Sequence, residues 1–372
     1  MEIMVKDKYR LFNNIYQGKK ILLTGDTGFK GSWLALWLRE LGAEVYGFAL
    51  APKTANDNFV ICGLQDFIHH QNGDIRSFEE LYSFFSKVQP DFAFHLAAQA
   101  LVLDSYNNPT ETFHTNVLGT VHFFEAVRKT ASVKAALNIT SDKCYKNIEQ
   151  EKGYRESDPM GGRDPYSASK GCAELVTSSY LSSFFQHENT CNIASARAGN
   201  VIGGGDCALN RIVPDFFRSL SEKTPLILRN PLSVRPWQHV LEPLCGYLML
   251  AEKLYSDGKE YSGGWNFGPE ESNHHTVKEL IDHLIRYCPE GVYTGSGDKQ
   301  PLHEAGLLKL DISKAKEKLG WQPVLNFEET VQFTADGYNC QANIENIYAQ
   351  RLNQIENYIQ FALQRKSAWV TV

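Results

Sequence analysis

Two short segments of the sequence carry side chains suited to acid–base chemistry. Ser141, Asp142 and Lys143 stand together after an apolar run, and Tyr166 and Lys170 follow at a Tyr-x-x-x-Lys spacing. That spacing puts the tyrosine and the lysine on one face of a helix, one turn apart. Because an ammonium group close to a phenol favours the phenolate, the tyrosine is predicted to act as a base near neutral pH. These five residues are therefore the candidates for catalysis.

A glycine-rich turn near the start of the chain predicts a dinucleotide site. Residues 21–24 form an apolar run typical of a buried parallel strand. Gly25, Gly28 and Gly31 follow at G-x-x-G-x-x-G spacing and lead into a helix-like stretch, residues 32–41. Such glycines allow a tight turn, close approach of the backbone to a pyrophosphate, and close packing of helix on sheet. A purely structural turn is the alternative.

Composition excludes several classes of function. Charged residues make up 22% and hydrophobic residues 43% of the 372 residues, as in ordinary globular proteins. The net charge of −6 gives no electrostatic footprint for nucleic acid. Apolar runs are too short to span a bilayer, and residues 1–14 are too charged for a signal peptide. We therefore expect a cytoplasmic protein with no nucleic-acid or membrane partner.

The cysteines and paired histidines do not form a metal-binding pattern. The eight cysteines are scattered without a C-x-x-C pair, which also argues against a disulfide framework. His69 and His70, like His274 and His275, are adjacent in sequence and so point in different directions on a regular element. No carboxylate cluster stands at ligand spacing, and no metal is predicted.

Alternating strand and helix patterns predict an α/β fold with a doubly wound parallel sheet of the Rossmann type. Residues 1–200 are expected to form mainly the dinucleotide-binding domain, with later segments crossing back. Residues 201–340 are expected to form mainly a smaller substrate-binding α/β region, and residues 341–372 a helical tail centred on residues 343–365. The predicted strands are residues 21–24, 45–50, 92–96 and 136–140, and the helices are residues 77–88, 112–130 and 166–185.

Residues 15–335 resemble the extended short-chain dehydrogenase/reductase enzymes that modify nucleotide sugars. Within them, the sequence is most similar to the branch that dehydrates CDP-glucose, in which Lys30 replaces the aliphatic residue of most relatives. The segments that carry the resemblance are residues 24–34, 141–145, 158–174, 197–206 and 235–240.

The resemblance implies a lyase that makes a 4-keto-6-deoxy sugar from CDP-glucose through transient oxidation at C4. Tyr166 is expected to take the proton of the C4 hydroxyl, Lys170 to lower the pKa of that tyrosine and hold the nicotinamide ribose, and Ser141 to bond the same oxygen. Asp142 is the expected acid for the C6 hydroxyl. Lys143 stands where related dTDP-glucose dehydratases carry a glutamate, so the base for C5 stays open.

The resemblance also implies NAD as the cofactor. The carboxylate expected on the adenosine ribose is absent from residues 49–51, and Lys53 nearby could tolerate a ribose phosphate, so NADP stays open. NAD is favoured because a cofactor recycled within this family is usually NAD. Besides Tyr166 and Lys170, the expected cofactor-binding residues are Gly25, Thr27, Gly28, Phe29, Lys30, Gly31, Asp74, Ile75, Leu96, Ala97, Ala98 and Asn116.

Further residues are expected to bind the nucleotide sugar. Arg235 suits a diphosphate because guanidinium binds phosphate in a bidentate manner, although it could instead stack on Trp237. His239 is a weaker candidate, since it could be an ordinary buried histidine. The expected substrate-binding residues are Gln99, Asn200, Arg211, Arg235 and His239.

Two other functions remain open at this point. A dehydratase or 4-epimerase acting on another nucleotide sugar would use the same Tyr166 and Lys170, and a nucleotide-binding regulatory protein would need neither. The resemblance further implies a homodimer or homotetramer that pairs through residues 112–130 and 166–185. It also implies a product used in deoxysugar synthesis for the O-antigen of lipopolysaccharide.

Overall fold

The computed structural model describes residues 8–295, 307–339 and 346–371, in which strands and helices alternate through the first half. The strands are β1 (Arg10–Leu11), β2 (Lys20–Thr24), β3 (Glu44–Ala49), β4 (His69–Asn72), β5 (Phe92–His95), β6 (Ala135–Ile139), β7 (Asn192–Ala198), β8 (Val201–Ile202), β9 (Leu226–Leu228), β10 (Val234–Pro236), β11 (Gln238–His239), β12 (Gly263–Phe267), β13 (His274–Thr276), β14 (Tyr293–Gly295) and β15 (Val370–Thr371). The helices are α1 (Phe29–Glu40), α2 (Asn58–Ile61), α3 (Phe78–Val88), α4 (Val102–Asn107), α5 (Pro109–Phe113), α6 (Gly119–Lys129), α7 (Pro165–Phe184), α8 (Ile212–Glu222), α9 (Leu241–Ser256), α10 (Val277–Tyr287), α11 (Phe327–Asn339) and α12 (Ile347–Gln364).

A parallel sheet of seven strands forms the centre of the described chain, in the order β12-β7-β6-β5-β2-β3-β4. The central strand β2 is apolar because both faces of the sheet are covered. Ile21 and Leu23 face the side that packs against α1 and α9, whereas Leu22 faces the side of α3 and α6. All three are fully buried. The doubly wound parallel sheet predicted from the sequence is confirmed.

The boundaries of most predicted elements agree closely with the structure. The four predicted strands begin and end within one residue of β2, β3, β5 and β6. The predicted helix at residues 112–130 is interrupted, because a π-type turn, His114–Leu118, separates α5 from α6. This turn contains the buried Asn116, which bonds both the backbone N–H and the carbonyl of Gln99. Such π-turns often mark functional positions in helices.

A smaller region follows the central sheet in sequence and packs beside it. It contains the strand pairs β8–β11, β9–β14 and β10–β13, together with α8, α10 and α11. Its own core includes Phe216, Leu280 and Val331. The chain crosses back in between, since α9 packs on β6 and β7 and β12 completes the central sheet. The residue boundaries predicted for the two regions stay predictions.

The last described segment packs against the first helix of the central domain. Tyr358 of α12 contacts Trp37 of α1 at a centroid distance of 5.8 Å, and β15 pairs with β1. The predicted tail helix begins at residue 343, and residues 340–345 lie outside the described residues, as do residues 1–7, 296–306 and 372.

None of the described helices combines the length and apolar character needed to cross a membrane. Across the same ranges, no three His, Cys, Asp or Glu side chains gather in a way that could hold a metal ion.

Candidate active site

A cavity of about 440 Å³ opens at the carboxyl ends of β2, β5, β6 and β7. Residues from α8, β9 and β10 of the smaller region form its opposite wall. Parallel α/β sheets bind ligands at this edge, because the loops that leave the strand ends converge there. The candidate residues can therefore be judged by whether they reach this cavity.

The glycine-rich turn lies at the cavity with its backbone exposed. Gly25 has φ +79°, and a Cβ atom there would lie 2.6 Å from the backbone nitrogen of Ala97. A Cβ atom on Gly31 would lie 2.0 Å from the carbonyl oxygen of Gly25. Gly28 precedes α1 and has no side chain to cap it, so the first N–H groups of the helix remain available to an anion. These features fit a pyrophosphate.

Ser141, Asp142 and Lys143 meet the cavity at the end of β6. The Ser141 hydroxyl donates to Asp142 Oδ1 at 2.8 Å and accepts from the Lys143 backbone N–H at 3.2 Å. Asp142 is buried, and its Oδ2 atom has no hydrogen-bond partner among the described residues. Gly199 makes room for this carboxylate, since a Cβ atom there would lie 2.0 Å from Oδ2.

Tyr166 lies in the cavity at the start of α7. Pro165 occupies the first position of the helix, and Asp164 caps it by accepting from the Ser167 N–H at 2.9 Å. Burial raises the pKa of Tyr166 to about 12, while a hydrogen bond from Ser141 opposes that rise. Burial therefore outweighs the contacts that favour the phenolate, and a lowering of this pKa by Lys170 stays a prediction.

Lys170 lies one turn further along α7, as its spacing predicts. Its ammonium group donates to the carbonyl oxygen of Ile139 at 3.4 Å and lines the same cavity as Tyr166. Burial lowers the pKa of Lys170 to about 8, and the charge of Glu174 on the same helix opposes this shift. The Lys170 ammonium group can therefore lose its proton at a pH only slightly above neutral.

Lys30 brings a second ammonium group to the cavity from the first turn of α1. Its Nζ atom lies 3.5 Å from the Tyr247 hydroxyl. Burial, together with the positive charges of Lys170 and Arg211, lowers the pKa of Lys30 to about 7. The glycine turn of this protein thus carries a titratable amine at the place where phosphates would bind.

Three of the expected substrate-binding residues line the cavity: Asn200, Arg211 and Arg235. Arg211 forms an ion pair with Asp206 at 2.8 Å, and this carboxylate helps to raise the pKa of the guanidinium although burial opposes it. Arg235 is buried and donates to the carbonyl oxygen of Val234 at 3.0 Å. The structure therefore places two guanidinium groups where a diphosphate could bind.

Gln99 and Asn116 do not line the cavity but hold the loop that does. Asn116 Oδ1 accepts from the Gln99 N–H at 2.8 Å, and its amide donates to the Gln99 carbonyl and to Ser169 Oγ. The Gln99 side chain bonds both backbone groups of Leu101, which does line the cavity. Both residues therefore position the loop after β5.

His239 does not reach the cavity, which corrects the prediction that it binds substrate. It is fully buried between Trp33 and Phe333, at centroid distances of 6.0 and 5.5 Å. Burial lowers the pKa of His239 to about 3 and keeps the ring neutral. Its surroundings are those of a core histidine, and a packing role accounts for it.

The remaining cofactor candidates divide between the cavity and its surroundings. Those that line it are Phe29, Leu96 and Ala98, whereas Thr27, Asp74, Ile75 and Ala97 lie outside it. Thr27 donates to the carbonyl oxygen of Leu50, and Asp74 is held by the Arg76 guanidinium at 2.5 Å. That ion pair lowers the pKa of Asp74.

Two ion pairs near the site were not predicted from the sequence. Asp206, which follows the glycines at 203–205, fixes Arg211, and no spacing signal connects them. Beneath α7, Glu174 pairs with Arg197 at 2.7 Å and accepts from Ser195 at 2.6 Å. Burial acts to raise the pKa of Glu174, but Arg197 and the hydrogen bonds hold it below the usual range. Glu174 and Arg197 are 23 residues apart in sequence, whereas Asp206 and Arg211 are only five apart.

The parallel sheet, the glycine turn and the Ser141, Tyr166 and Lys170 side chains at one strand edge define an extended short-chain dehydrogenase/reductase. Residues 22–334 match the family model described as GDP-mannose 4,6 dehydratase, and the chain belongs to that family.

Named relatives agree with this assignment. The chain is 50% identical over 323 residues to the CDP-glucose 4,6-dehydratase of Salmonella typhimurium, covering 86% of this chain and 90% of that protein. It is 28% identical over 343 residues to the CDP-paratose 2-epimerase of Salmonella typhi, covering 84% and 97% of the two chains. A solved dTDP-glucose 4,6-dehydratase of Bacillus anthracis in complex with NAD has a TM-score of 0.70 at 21% identity, covering 88% and 98%. At that identity the structural likeness concerns the fold alone.

Proposed function

We propose that this protein is a lyase that converts CDP-glucose to CDP-4-keto-6-deoxyglucose and water, with NAD as a recycled cofactor. The observation that carries the proposal is the 50% identity to a CDP-glucose 4,6-dehydratase over 86% of the chain. The cavity supports it, because an acid–base pair, a buried carboxylic acid and two guanidinium groups face the same space.

The glycine turn and its surroundings fit the proposed cofactor. The bare backbone of Gly25 and Gly28 and the uncapped start of α1 suit its pyrophosphate. Asp57 accepts from the Lys53 backbone N–H at 2.7 Å, so a carboxylate stands in the same loop as Lys53. That negative charge disfavours a ribose phosphate and supports NAD. When bound, NAD supplies a hydride acceptor for sugar C4 and later a hydride donor for C6.

Tyr166 is proposed to accept the proton of the sugar C4 hydroxyl. It must reach the phenolate form to do so, and the Ser141 hydrogen bond and the charge of Arg211 both favour that form. Ser141 has a single hydroxyl proton, so it can donate to Tyr166 or to Asp142 but not to both at once. Lys170 is proposed to hold the nicotinamide ribose and to keep positive charge beside the phenol.

Asp142 and Lys143 are proposed to act in the loss of water across C5 and C6. Asp142 is buried with an unbonded Oδ2 atom, as a proton donor to the C6 hydroxyl would require. Lys143 lines the cavity next to it and is proposed as a candidate base for the C5 proton. A lysine acts as a base only in its neutral form.

The substrate side is proposed to bind the nucleotide diphosphate. Arg211 and Arg235 offer guanidinium groups suited to bidentate phosphate contacts, and Asn200 lines the same cavity. Gln99 is proposed to act on the substrate only through the loop that it shapes.

The decisive experiment offers the purified protein CDP-, dTDP-, GDP- and UDP-glucose, with and without added NAD. The readout is the alkali-induced absorbance of a 4-keto sugar, confirmed by a mass loss of one water, with Tyr166→Phe as the inactive control. We expect product from CDP-glucose alone. Product from another nucleotide sugar would replace the substrate assignment, and C4 epimer without loss of water would favour the epimerase.

We also propose a cytoplasmic homodimer, or a tetramer built from such dimers, that pairs through the helices around the π-turn and α7. Apolar side chains stand in solvent on these elements: Leu118 is 46%, Leu175 61% and Phe184 42% exposed. Burying them against a second copy would remove an unusual apolar surface from water. Light scattering after gel filtration should give at least twice the chain mass, and Leu175→Asp should shift it toward the monomer. A monomeric wild type would contradict this assembly.

A further inference from the structure

Arg351 of α12 is a fully buried cation outside the segment that matches the family model. Its Nε–H donates to Asn58 Oδ1 at 3.0 Å, and its Nη1–H donates to the Gly337 carbonyl at 2.8 Å and to Gln354 at 3.3 Å. The guanidinium also lies over the Trp33 ring, 5.2 Å from its centroid. A buried guanidinium needs most of its donors satisfied, so these contacts hold Arg351 in one position.

A short chain of hydrogen bonds leads from Arg351 to the cofactor turn. Asn58, which accepts from Arg351, donates from its amide to Ser32 Oγ at 3.0 Å. Ser32 lies in the first turn of α1, where its hydroxyl donates to the Phe29 carbonyl and its N–H donates to the Gly28 carbonyl, both at 2.9 Å. Gly28 and Phe29 line the cavity. Arg351 is thus two side chains away from the backbone of the glycine-rich turn.

A second route leads from Arg351 to the loop of glycines at 203–205. The Trp33 indole N–H donates to the Gly204 carbonyl at 2.9 Å. A Cβ atom on Gly204 would lie 2.5 Å from the Gly337 carbonyl oxygen and 2.7 Å from Arg351 Nη1. The loop therefore rests directly on the guanidinium and on the helix that this group binds.

The loop at residues 203–205 continues to Asp206 and Arg211, which line the cavity. Tyr338, next to Gly337 on α11, donates its hydroxyl proton to the Asp206 carbonyl at 2.7 Å. The Asp206 carboxylate in turn holds Arg211 at 2.8 Å, and both residues line the cavity. The position of a proposed diphosphate ligand thus depends on the loop at residues 203–206 and on α11, both of which Arg351 contacts or holds.

We propose that Arg351 is a positioning residue that holds the cofactor turn and the substrate loop at a fixed separation, and that α12 is therefore part of the active-site framework. This inference rests on the proposed function, which assigns NAD to one segment and the nucleotide diphosphate to the other. Arg351 touches neither ligand site itself; it acts through Asn58 on one side and through Gly204 on the other.

The test compares ligand binding in Arg351→Met and Asn58→Ala with the wild type, using calorimetric titration of the full chain with NAD and, separately, with CDP. Methionine keeps an apolar stem but removes the guanidinium. We expect Arg351→Met to bind both ligands about tenfold more weakly, the effect of losing one charge-assisted bonded link. Asn58→Ala cuts the route to Ser32 and also removes the side chain on which Gly205 packs, so NAD affinity should fall about tenfold and CDP affinity by less than in Arg351→Met.

Arg365→Met is the matched control on the same segment. Arg365 follows α12 and forms a bidentate contact with Glu329 of α11 at 2.7 and 2.8 Å, with no described bond to either loop. Its loss should lower the unfolding temperature without changing either affinity. Unchanged affinities in Arg351→Met would overturn the proposal and leave Arg351 a purely structural residue.

The remaining outcomes are also decisive. If Arg351→Met does not fold, Asn58→Ala alone decides, because unchanged NAD affinity in that variant would break the proposed link. A wild type that binds both ligands but does not dehydrate CDP-glucose contradicts the proposed reaction and leaves the positioning role testable. A wild type that binds neither ligand overturns both.

Discussion

The two walls of the cavity are built in different ways. On the cofactor and catalytic wall, each functional group leaves the end of a central strand or the first turn of a helix, as Gly25 does after β2 and Tyr166 does in α7. On the substrate wall, Arg211 and Arg235 come from short segments held by distant parts of the chain, such as the pairing of β10 with β13. Strand ends and helix starts place most groups of the first wall, to which the proposed role of Arg351 adds a tertiary contact, whereas pairing between distant strands places Arg235 on the second wall.

The two walls also differ in how the fold shifts the pKa values of their ionisable groups. Burial raises the pKa of Tyr166 to about 12 and lowers the pKa of Lys170 to about 8, so on the catalytic wall burial disfavours the charged form of both groups. Arg211 is kept charged by Asp206, as a fixed binding charge requires. Changes on the catalytic wall should therefore affect turnover, and changes on the substrate wall should affect binding.

The largest expected effect is that of Tyr166→Phe. Removing the hydroxyl deletes the proton acceptor for C4, and kcat should fall roughly 10³- to 10⁴-fold. The measurement is the initial rate of 4-keto sugar formation from CDP-glucose. NAD and CDP affinities should change little, because the ring still fills its site. A variant that retained more than a tenth of the wild-type kcat would remove Tyr166 from the chemistry.

Asp142→Asn should have the next largest effect and should separate the two halves of the reaction. The amide preserves the contact with Ser141 but cannot donate an acidic proton, so kcat for loss of water should fall roughly 10²- to 10³-fold. Substrate deuterated at C4 tests this directly, because oxidation at C4 should persist while water release stops. Equal loss of both steps would assign Asp142 to the redox half instead.

Arg235→Met tests the substrate wall. Loss of the guanidinium should raise KM for CDP-glucose roughly 10- to 100-fold with kcat changed less than threefold, since a charged hydrogen bond of this kind is worth about 1.5–3 kcal/mol. Arg286→Met is the control, because its side chain is 61% exposed on α10 and lies outside the cavity. A fall in kcat at constant KM would show that the comparison between the walls is wrong.

The same contrast explains what could be predicted from the sequence. Strands β2, β5 and β6 are apolar because helices cover both faces, so each is visible as a local run. β12 was missed because its polar and small residues serve tertiary contacts: Gly264 makes room for Arg197, and Asn266 bonds the Tyr145 hydroxyl at 2.7 Å. A strand with such a pattern carries no periodic signal.

In the site, motif spacing located residues but not their environments. The Tyr-x-x-x-Lys pattern placed Tyr166 and Lys170 at one cavity, yet it could not show that burial raises the tyrosine pKa, because burial is set by the whole fold. The prediction that His239 binds substrate was misled for the same reason, since only the fold shows that Trp33 and Phe333 enclose this ring. Arg351 gave no sequence signal, because its partner Asn58 is 293 residues away.

The smallest expected effect concerns Glu242, a buried carboxyl group at the contact between the central sheet and the smaller region. Glu242 of α9 accepts from the backbone N–H groups of Val324 and Leu325, which precede α11, and from the Tyr358 hydroxyl of α12. Burial raises the pKa of Glu242 to about 7, although these bonds oppose the rise. A carboxyl whose folded pKa exceeds its unfolded value of about 4.3 adds stability below that lower value and loses it as pH rises through the folded pKa.

Wild-type stability should therefore decline between pH 5 and pH 8 by about 1–3 kcal/mol through this group, and Glu242→Gln should flatten that decline. Thermal unfolding at one-unit intervals of pH measures it, with the exposed Glu44→Gln as the control. Because Glu242 joins the central sheet to the smaller region, CDP affinity in Glu242→Gln should follow the wild type at pH 5 more closely than at pH 8. An unchanged slope of unfolding temperature against pH would mean that the buried carboxyl is already ionised throughout, and that its three hydrogen bonds outweigh the cost of its burial.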